Sequence, residues 1–217
     1  MDNCLNDDLI TISDLTFSHG DRLLYDRINL TIPRGKVTAV MGPSGIGKTT
    51  LLRALAGLWP HTDGSVRRPA GKQALFLPQK PYLPLGTLRA ALYYPTSARH
   101  DPQTAEILQR CQLGHLVKAL DEEDDWSRRL SLGEQQRLAV GRVLLNRPRI
   151  VFLDEASSAM DEGLEHAMYE LLRQSLPETI MVSVGHRSTL VEFHTRELEL
   201  LGGGRWQLRE LSATGAV

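Results

Sequence analysis

One stretch of eight residues constrains the fold of this chain more than any other: residues 42–49 read GPSGIGKT. They match the pattern G-x-x-x-x-G-K-[ST], in which a glycine-rich turn lets successive backbone N–H groups face one anion. An apolar, β-branched run at 37–41 precedes the stretch and leucines at helical spacing follow it, so it joins a predicted strand to a predicted helix. The helix N-terminus adds a partial positive charge at the same place.

This stretch predicts a site for ATP and Mg²⁺. Lys48 reaches the β- and γ-phosphates in this motif, and the Thr49 hydroxyl is a Mg²⁺ ligand. An ordinary glycine turn is the alternative interpretation, which the flanking strand and helix disfavour. Further nucleotide contacts are predicted for the rest of the stretch and the residue after it: Gly42, Pro43, Ser44, Gly45, Ile46, Gly47 and Thr50.

Composition excludes several classes of protein. The chain has 217 residues and a formal net charge of −1, so it carries no basic surface for nucleic acid, and we expect no nucleic-acid partner. No apolar run approaches the ~18 residues of a membrane helix, and the N-terminus lacks the apolar segment of a signal peptide. Its two cysteines, Cys4 and Cys111, lie far apart, which indicates a reducing compartment without a disulfide framework.

Apolar runs that alternate with helical patterns predict an α/β fold. Four mainly apolar runs indicate strands of a mainly parallel sheet covered on both faces: 37–41, 74–77, 150–153 and 179–184. Alternating runs before residue 33 predict a flanking antiparallel β subdomain, and 196–211 predicts a hairpin that turns at 202–204. We expect one P-loop NTPase domain over 1–217, with a core of 1–78 and 146–217 and an inserted α-helical subdomain of 79–145.

Local signals add detail to this outline. Ser13-Asp14 predicts a break between two strands, Asp63-Gly64 predicts a turn, and the acidic run at 121–125 predicts a solvated loop. Ser131 and Glu134 form a capping box, which predicts a helix that begins there and ends before Pro148. A further helix is predicted at about 163–175.

Polar side chains follow the ends of the predicted core strands, where ligands bind in parallel sheets. Asp154 ends one strand and predicts a second Mg²⁺ ligand, and Glu155 beside it is a candidate general base toward water. His186 is a candidate contact to the γ-phosphate or to that water. Gln79 is a candidate ligand of Mg²⁺ or of water, and its side chain would sense the state of the nucleotide. For each, the alternative is a solvated polar residue at a strand end.

The order of these motifs resembles the nucleotide-binding domain of ABC transporters over essentially the whole chain. Leu130 to Gln135 reads LSLGEQ and corresponds to the family's signature, usually Leu-Ser-Gly-Gly-Gln, which other P-loop classes lack. The stretches 77–88 and 184–188 are most similar to the branch of fused permease–ATPase proteins linked to vitamin B12, bleomycin and antimicrobial-peptide uptake. That branch is related to the peroxisomal fatty-acyl transporters.

The resemblance implies a mechanism with two copies and two ATP molecules. Two domains would form a head-to-tail dimer in which Ser131 and the backbone at Gly133 face the partner's γ-phosphate, and Asp161 makes a contact across the dimer. Hydrolysis would loosen this dimer and drive a transmembrane permease, usually N-terminal on the same polypeptide, which docks around 79–88. The domain would then work at the cytoplasmic face of the membrane.

The sequence departs from the family pattern at three places. Leu132 replaces the first glycine of the signature, and the loop at 125–129 differs from the usual exporter loop. His19 occupies the position of the aromatic residue that stacks on adenine, and Phe17 is the alternative stacking residue. The resemblance therefore does not predict the base selectivity of this domain or the details of its coupling to the permease.

Three other functions compete with a transport ATPase. A soluble ABC-type ATPase acting on DNA or ribosomes would carry a long coiled coil or a second tandem domain, and this chain has neither. A nucleotide switch without hydrolysis is disfavoured by the presence of both Glu155 and His186, and a turnover assay separates the two. A small-molecule P-loop kinase leaves the stretch from Ser131 to Gln135 unexplained.

Overall fold

The computed structural model describes residues 9–60, 63–68 and 74–211, which form two compact units. The first unit comprises the chain up to Phe76, Pro148–Glu155 and the chain from Glu178. The second comprises Leu77–Arg147 and Ala156–Pro177. The sequence pattern alone places 156–177 in the core, whereas in the structure this segment belongs with the helices of the second unit because its helix packs on theirs.

The first unit contains a six-stranded sheet in the order β11-β10-β3-β9-β8-β5. Its strands are β3 (Val37–Met41), β5 (Ala74–Leu77), β8 (Ile150–Asp154), β9 (Ile180–Val184), β10 (Arg196–Gly202) and β11 (Arg205–Glu210). The pairs β10–β3, β3–β9 and β9–β8 are parallel, and β10–β11 is an antiparallel hairpin. The predicted mainly parallel sheet is thereby confirmed.

A three-stranded antiparallel sheet, ordered β2-β1-β4, lies in the same unit and confirms the predicted flanking β structure. Its strands are β1 (Ile10–His19), β2 (Arg22–Ile32) and β4 (Asp63–Arg67). One hydrophobic core joins both sheets to helix α1 (Lys48–Leu55), and its fully buried members include Leu15, Tyr25, Leu51 and Phe152. Burial of this apolar surface, at roughly 25 cal/mol per Å², is what stabilises the unit.

Two local predictions in this sheet are wrong for one shared reason. Strand β1 continues through Asp14, whose φ of 49° forms a bulge, and Asp63-Gly64 begins strand β4 instead of forming a turn. A Cβ on Gly64 would lie 2.2 Å from the Asp14 carbonyl oxygen, so only glycine lets β4 pass the bulge. Asn29 secures the bulge through reciprocal hydrogen bonds of 2.9 Å with Asp14.

The second unit is helical, as predicted for most of its length. Helix α5 (Leu132–Asn146) is buried on nearly all sides and packs against α2, α3 and α6. The other elements are β6 (Gly86–Thr87), α2 (Leu88–Tyr93), α3 (Gln103–Arg110), a 3₁₀ helix (Gly114–Ala119), β7 (Glu123–Asp124), α4 (Trp126–Arg129) and α6 (Glu162–Ser175). The acidic run is therefore not all loop, because two of its residues pair with β6.

Helix α7 (Arg187–Phe193), in the first unit, has no counterpart in the sequence prediction. It begins directly after His186, which is its N-cap residue, and Leu190 and Phe193 are buried. At seven residues it is too short for a clear helical periodicity in the sequence.

Candidate functional site

The glycine-rich stretch forms a tight turn between β3 and α1. Gly42, Gly45 and Gly47 have φ values of 146°, 76° and 110°, which a residue with a side chain adopts only with strain. A Cβ on Gly42 would lie 2.8 Å from the Leu200 carbonyl oxygen, so space as well as backbone conformation requires glycine there. Gly47 is the N-cap of α1, so Lys48 and Thr49 lie in the first turn of the helix. The backbone N–H groups of that turn have no acceptor within the helix and can face an anion.

Lys48 lies in a cavity of about 370 Å³ at the carboxyl ends of the core strands. Its Nζ donates a hydrogen bond of 2.8 Å to the Gly42 carbonyl oxygen, which directs the ammonium back over the turn. His186 is exposed and contributes to the same wall. The structure therefore brings the predicted phosphate-binding lysine and the predicted γ-phosphate histidine to one cavity, lined by Met41, Gly42, Pro43, Lys48, Gly185, His186 and Glu199.

Thr49 and Asp154, the two predicted Mg²⁺ ligands in this unit, are in direct contact. The Thr49 hydroxyl donates a hydrogen bond of 3.1 Å to Asp154 Oδ1. Asp154 is only 7% exposed, and burial raises the pKa of its carboxyl although the Thr49 hydrogen bond and Arg53 oppose the rise. A buried carboxylate next to a hydroxyl is an oxygen donor set of the kind that Mg²⁺ accepts when phosphates and water complete its octahedron.

The described parts of the chain contain no group of three or more His, Cys, Asp or Glu side chains that could hold a metal ion by themselves.

Glu155 follows β8 with a strained backbone. Its φ is 53°, a value uncommon for a residue other than glycine, and its N–H donates a hydrogen bond of 2.9 Å to the Val184 carbonyl oxygen. The side chain is half-buried. Left-handed backbone of this kind costs about 1–3 kcal/mol and concentrates at functional sites, where the fold holds a side chain in one direction.

The other predicted site residues lie in the second unit. Ser131 is exposed and caps α5: its hydroxyl accepts from the Glu134 N–H at 3.2 Å, and Glu134 Oε1 accepts from the Ser131 N–H at 3.0 Å. His115 lies 2.9 Å from the second oxygen of Glu134. Burial raises the pKa of Glu134, but the bonds from Ser131 and His115 outweigh it and hold that pKa below its usual value.

Gly133, Asp161 and Gln79 also have defined surroundings in this unit. A Cβ on Gly133 would lie 3.1 Å from the Ala159 carbonyl oxygen, so the helix start passes close to that segment. Asp161 is the N-cap of α6, where its side chain accepts from the Leu164 N–H at 2.8 Å. Gln79 is exposed, and its backbone carbonyl accepts from Gln136 at 2.8 Å.

His19 and Phe17, the two candidates for stacking on adenine, differ in their surroundings. His19 is exposed at the end of β1. Phe17 is half-buried and its ring stacks on Tyr25, with centroids 5.9 Å apart. Phe17 is therefore engaged in the core, whereas the His19 ring is accessible to a ligand.

Three residues of the cavity wall were not predicted as site residues: Met41, Gly185 and Glu199. Glu199 reaches the cavity because β10 lies beside β3, where Glu199 pairs with Met41. Its carboxylate accepts from Gln207 at 2.6 Å and pairs with Arg209. Strand order in a parallel sheet depends on packing between distant segments, so the hairpin pattern around Glu199 gave no signal for this position.

Comparison with known proteins identifies the family. The family model described as ABC transporter matches residues 25–158, more than half of the chain. An ABC transporter ATP-binding protein of Haemophilus influenzae is 52% identical over 187 residues, which cover 85% of this chain and 31% of that protein. The human lysosomal cobalamin transporter ABCD4 is 39% identical, over 88% of this chain and 34% of its own length.

The fold has a counterpart among solved structures. A bacterial Atm1-family ABC exporter with ATP bound matches with a TM-score of 0.78 and 22% identity, over 90% of this chain and 38% of the exporter chain. The chain thus spans about a third of the length of the relatives it matches. None of the helices in the described ranges combines the length and apolar character needed to cross a bilayer. With its glycine-rich turn, its Thr49–Asp154 pair and a 52% identical relative, the chain belongs to the ABC transporter family and is an ATP-binding domain of that family.

Proposed function

We propose that this domain hydrolyses ATP in the presence of Mg²⁺ and that the hydrolysis powers transport by a membrane permease. The observation that carries the proposal is the Thr49–Asp154 hydrogen bond of 3.1 Å, next to Lys48 and followed in the chain by the strained Glu155. These groups lie within one compact unit, at the carboxyl ends of its parallel strands.

Each residue has a role that its position supports. The Lys48 ammonium and the N–H groups of the turn bind the phosphates, and Thr49 and Asp154 hold Mg²⁺, which neutralises charge on the phosphate oxygens. Glu155 accepts a proton from the attacking water, and His186 donates a hydrogen bond to the γ-phosphate. His19 stacks on the adenine ring, because Phe17 is engaged with Tyr25.

The same proposal includes a dimer that shares its nucleotides. Ser131 is exposed, and α5 runs for 15 residues behind it, so the partial positive charge at the N-terminus of α5 is available to an anion on a partner. Gly133 and Asp161 lie in the same unit as Ser131. In a head-to-tail pair, these residues of one copy complete the phosphate site of the other, and Gln79 reports the state of the nucleotide.

A permease partner fits an exposed apolar group in the second unit. Leu85 is 78% exposed, Tyr82 61% and Tyr94 39%, and the rings of Tyr82 and Tyr94 are in edge contact with centroids 5.1 Å apart. These residues lie at or close to the segment 79–88 that is predicted to dock. The greater length of the relatives supports a permease on the same native polypeptide, with this domain at the cytoplasmic face of the membrane.

The test is a phosphate-release assay combined with light scattering. The wild-type domain is expected to release phosphate only with ATP and Mg²⁺, and to form dimers when turnover is slowed. Lys48→Ala should abolish both. Nucleotide binding and dimerisation without any turnover would instead identify a switch, and a stable monomer under every nucleotide condition would contradict the shared site.

Coupling to transport requires the native polypeptide. Reconstituted into vesicles, it is expected to show turnover that responds to candidate cargo, and Leu85→Asp should weaken that response while leaving turnover of the isolated domain unchanged. A cargo response that is identical in the wild type and the variant would contradict docking at this segment.

A further inference from the structure

A buried amide on α5 is bonded to two separate surface segments of the second unit. Gln136 is 1% exposed, and its Nε2 donates to the Gln79 carbonyl oxygen at 2.8 Å and to the Ser158 hydroxyl at 3.0 Å. Its Oε1 accepts from the Ala159 N–H at 2.9 Å. A primary amide has two donors and one acceptor oxygen, so both donors and the oxygen are engaged.

The partners of Gln136 are on the surface although Gln136 is not. Gln79, Ser158 and Ala159 are all exposed, and they lie 57, 22 and 23 residues from Gln136 in the chain. A buried polar network whose members are satisfied fixes one geometry, because every alternative leaves a donor or acceptor unpaired at low dielectric. The buried Gln136 side chain therefore connects α5 to two exposed loops, the one at Gln79 and the one at Ser158 and Ala159.

The same helix passes close to the same loop at a second position. Gly133 lies one turn before Gln136 on α5, and a Cβ there would approach the Ala159 carbonyl oxygen to 3.1 Å. The carbonyl of Ala159 therefore lies near Gly133, while its N–H donates to Gln136. Glycine at 133 leaves room for this approach, and the Gln136 bond holds the loop from Ala159 to Asp161 against the start of α5.

We propose that Gln136 is a positioning residue that keeps the Gln79 segment and the Ser158–Asp161 segment in fixed register with the Ser131 end of α5. The inference rests on the proposed function, because Gln79, Asp161 and Ser131 all face nucleotide only in the dimer proposed above. Gln136 itself touches no nucleotide. Because Gln136 connects their segments, Gln79, Asp161 and Ser131 shift together when one of them binds a γ-phosphate.

The decisive variant is Gln136→Met, which keeps the length of the side chain and removes all three hydrogen bonds. Its kcat for ATP is expected to fall at least ~10-fold, because a misplacement of ~1 Å at a reacting site costs up to ~10²-fold. Nucleotide affinity of the monomer should not change, because the groups around Lys48 keep their own contacts. A loss of affinity with unchanged kcat would overturn the proposal.

Thr104→Val is the matched control for stability. Thr104 is 1% exposed in the same unit, and its hydroxyl shares a buried hydrogen bond of 2.6 Å with Tyr93, away from both loops. This variant also loses a buried hydrogen bond, so its melting temperature should fall, but its kcat should stay at the wild-type value. If Thr104→Val lowers kcat as much as Gln136→Met does, the effect comes from general destabilisation and the proposal fails.

A double-mutant cycle tests whether Gln136 acts through its loop partners. Ser158→Ala removes one partner and should lower kcat less than Gln136→Met. In the Gln136→Met background, Ser158→Ala should have no further effect, because the bond is already absent. Additive losses would show that the two residues act independently.

Amide hydrogen exchange separates this proposal from the proposed function. Measured without nucleotide, the Ala159 N–H should exchange at least ~10-fold faster in Gln136→Met than in the wild type, because its acceptor is gone. Thr104→Val should leave that amide unchanged. A wild-type domain that never hydrolyses ATP would refute the proposed function, whereas an Ala159 amide unaffected by Gln136→Met would refute the positioning role whatever the turnover.

Discussion

The Thr49 hydroxyl donates a hydrogen bond of 3.1 Å to Asp154 Oδ1 across a separation of 105 residues in the chain. The bond joins the first turn of α1 to the end of β8, two elements that also pack against each other. It holds a buried carboxylate beside the glycine-rich turn.

Asp154→Asn is expected to stabilise the protein without nucleotide while weakening its affinity for Mg²⁺ and ATP. Burial raises the pKa of Asp154, so the folded state favours the protonated carboxyl and loses stability as pH rises through that pKa. Removing the charge should therefore raise the melting temperature at pH 7.

The difference in melting temperature between Asp154→Asn and the wild type should shrink as pH falls towards 4, because the wild-type carboxyl then takes up a proton. Differential scanning calorimetry across this pH range measures it. Asp21→Asn, at an exposed carboxylate, is the control and should show neither effect. A lower melting temperature for Asp154→Asn at pH 7 would contradict the assignment of burial as the dominant cause.

Glu155→Gln should slow ATP turnover at least ~100-fold, because it removes a general base. Nucleotide affinity should be unchanged, since the backbone N–H that fixes this residue to Val184 is retained. Single-turnover phosphate release and a fluorescent nucleotide titration measure the two quantities. Turnover at the wild-type rate would rule out Glu155 as the base.

Ser131→Arg should prevent ATP-dependent dimerisation and leave nucleotide binding to the monomer intact. Arginine lacks the short side-chain oxygen that caps α5, and its bulk would fill the exposed space where a partner's γ-phosphate is expected. Light scattering with ATP, in a background where turnover is slowed, is the measurement. Ser97→Arg, at an exposed serine in the same unit, is the matched control, and normal dimers of Ser131→Arg would contradict the shared site.

Cys111 should resist alkylation in the folded protein. It is fully buried, and burial raises the pKa of its thiol to about 12, so almost no thiolate is present at pH 8. In a Cys4→Ser variant, Cys111 is the one remaining thiol. Mass spectrometry should detect labelling by iodoacetamide only after denaturant is added, and rapid labelling of the native protein would contradict the packing of the second unit.

Features that are encoded within a few neighbouring residues could be predicted from the sequence. The glycine turn before Lys48 and the capping box at Ser131 both appear in the structure as predicted, because spacing and capping act over a single turn of chain. The apolar core strands were predicted for the same reason, since burial on both faces leaves a continuous apolar run.

Which distant segments meet could be seen only in the folded chain. Strand β4 pairs with β1 on both sides of the bulge at Asp14, and Glu199 lies in the Lys48 cavity because β10 pairs with β3. The three bonds of Gln136 are likewise invisible in the helical pattern of α5, where it reads as one more polar residue. Local sequence fixes periodicity and caps, whereas the register and order of elements follow from how their apolar faces pack together in three dimensions.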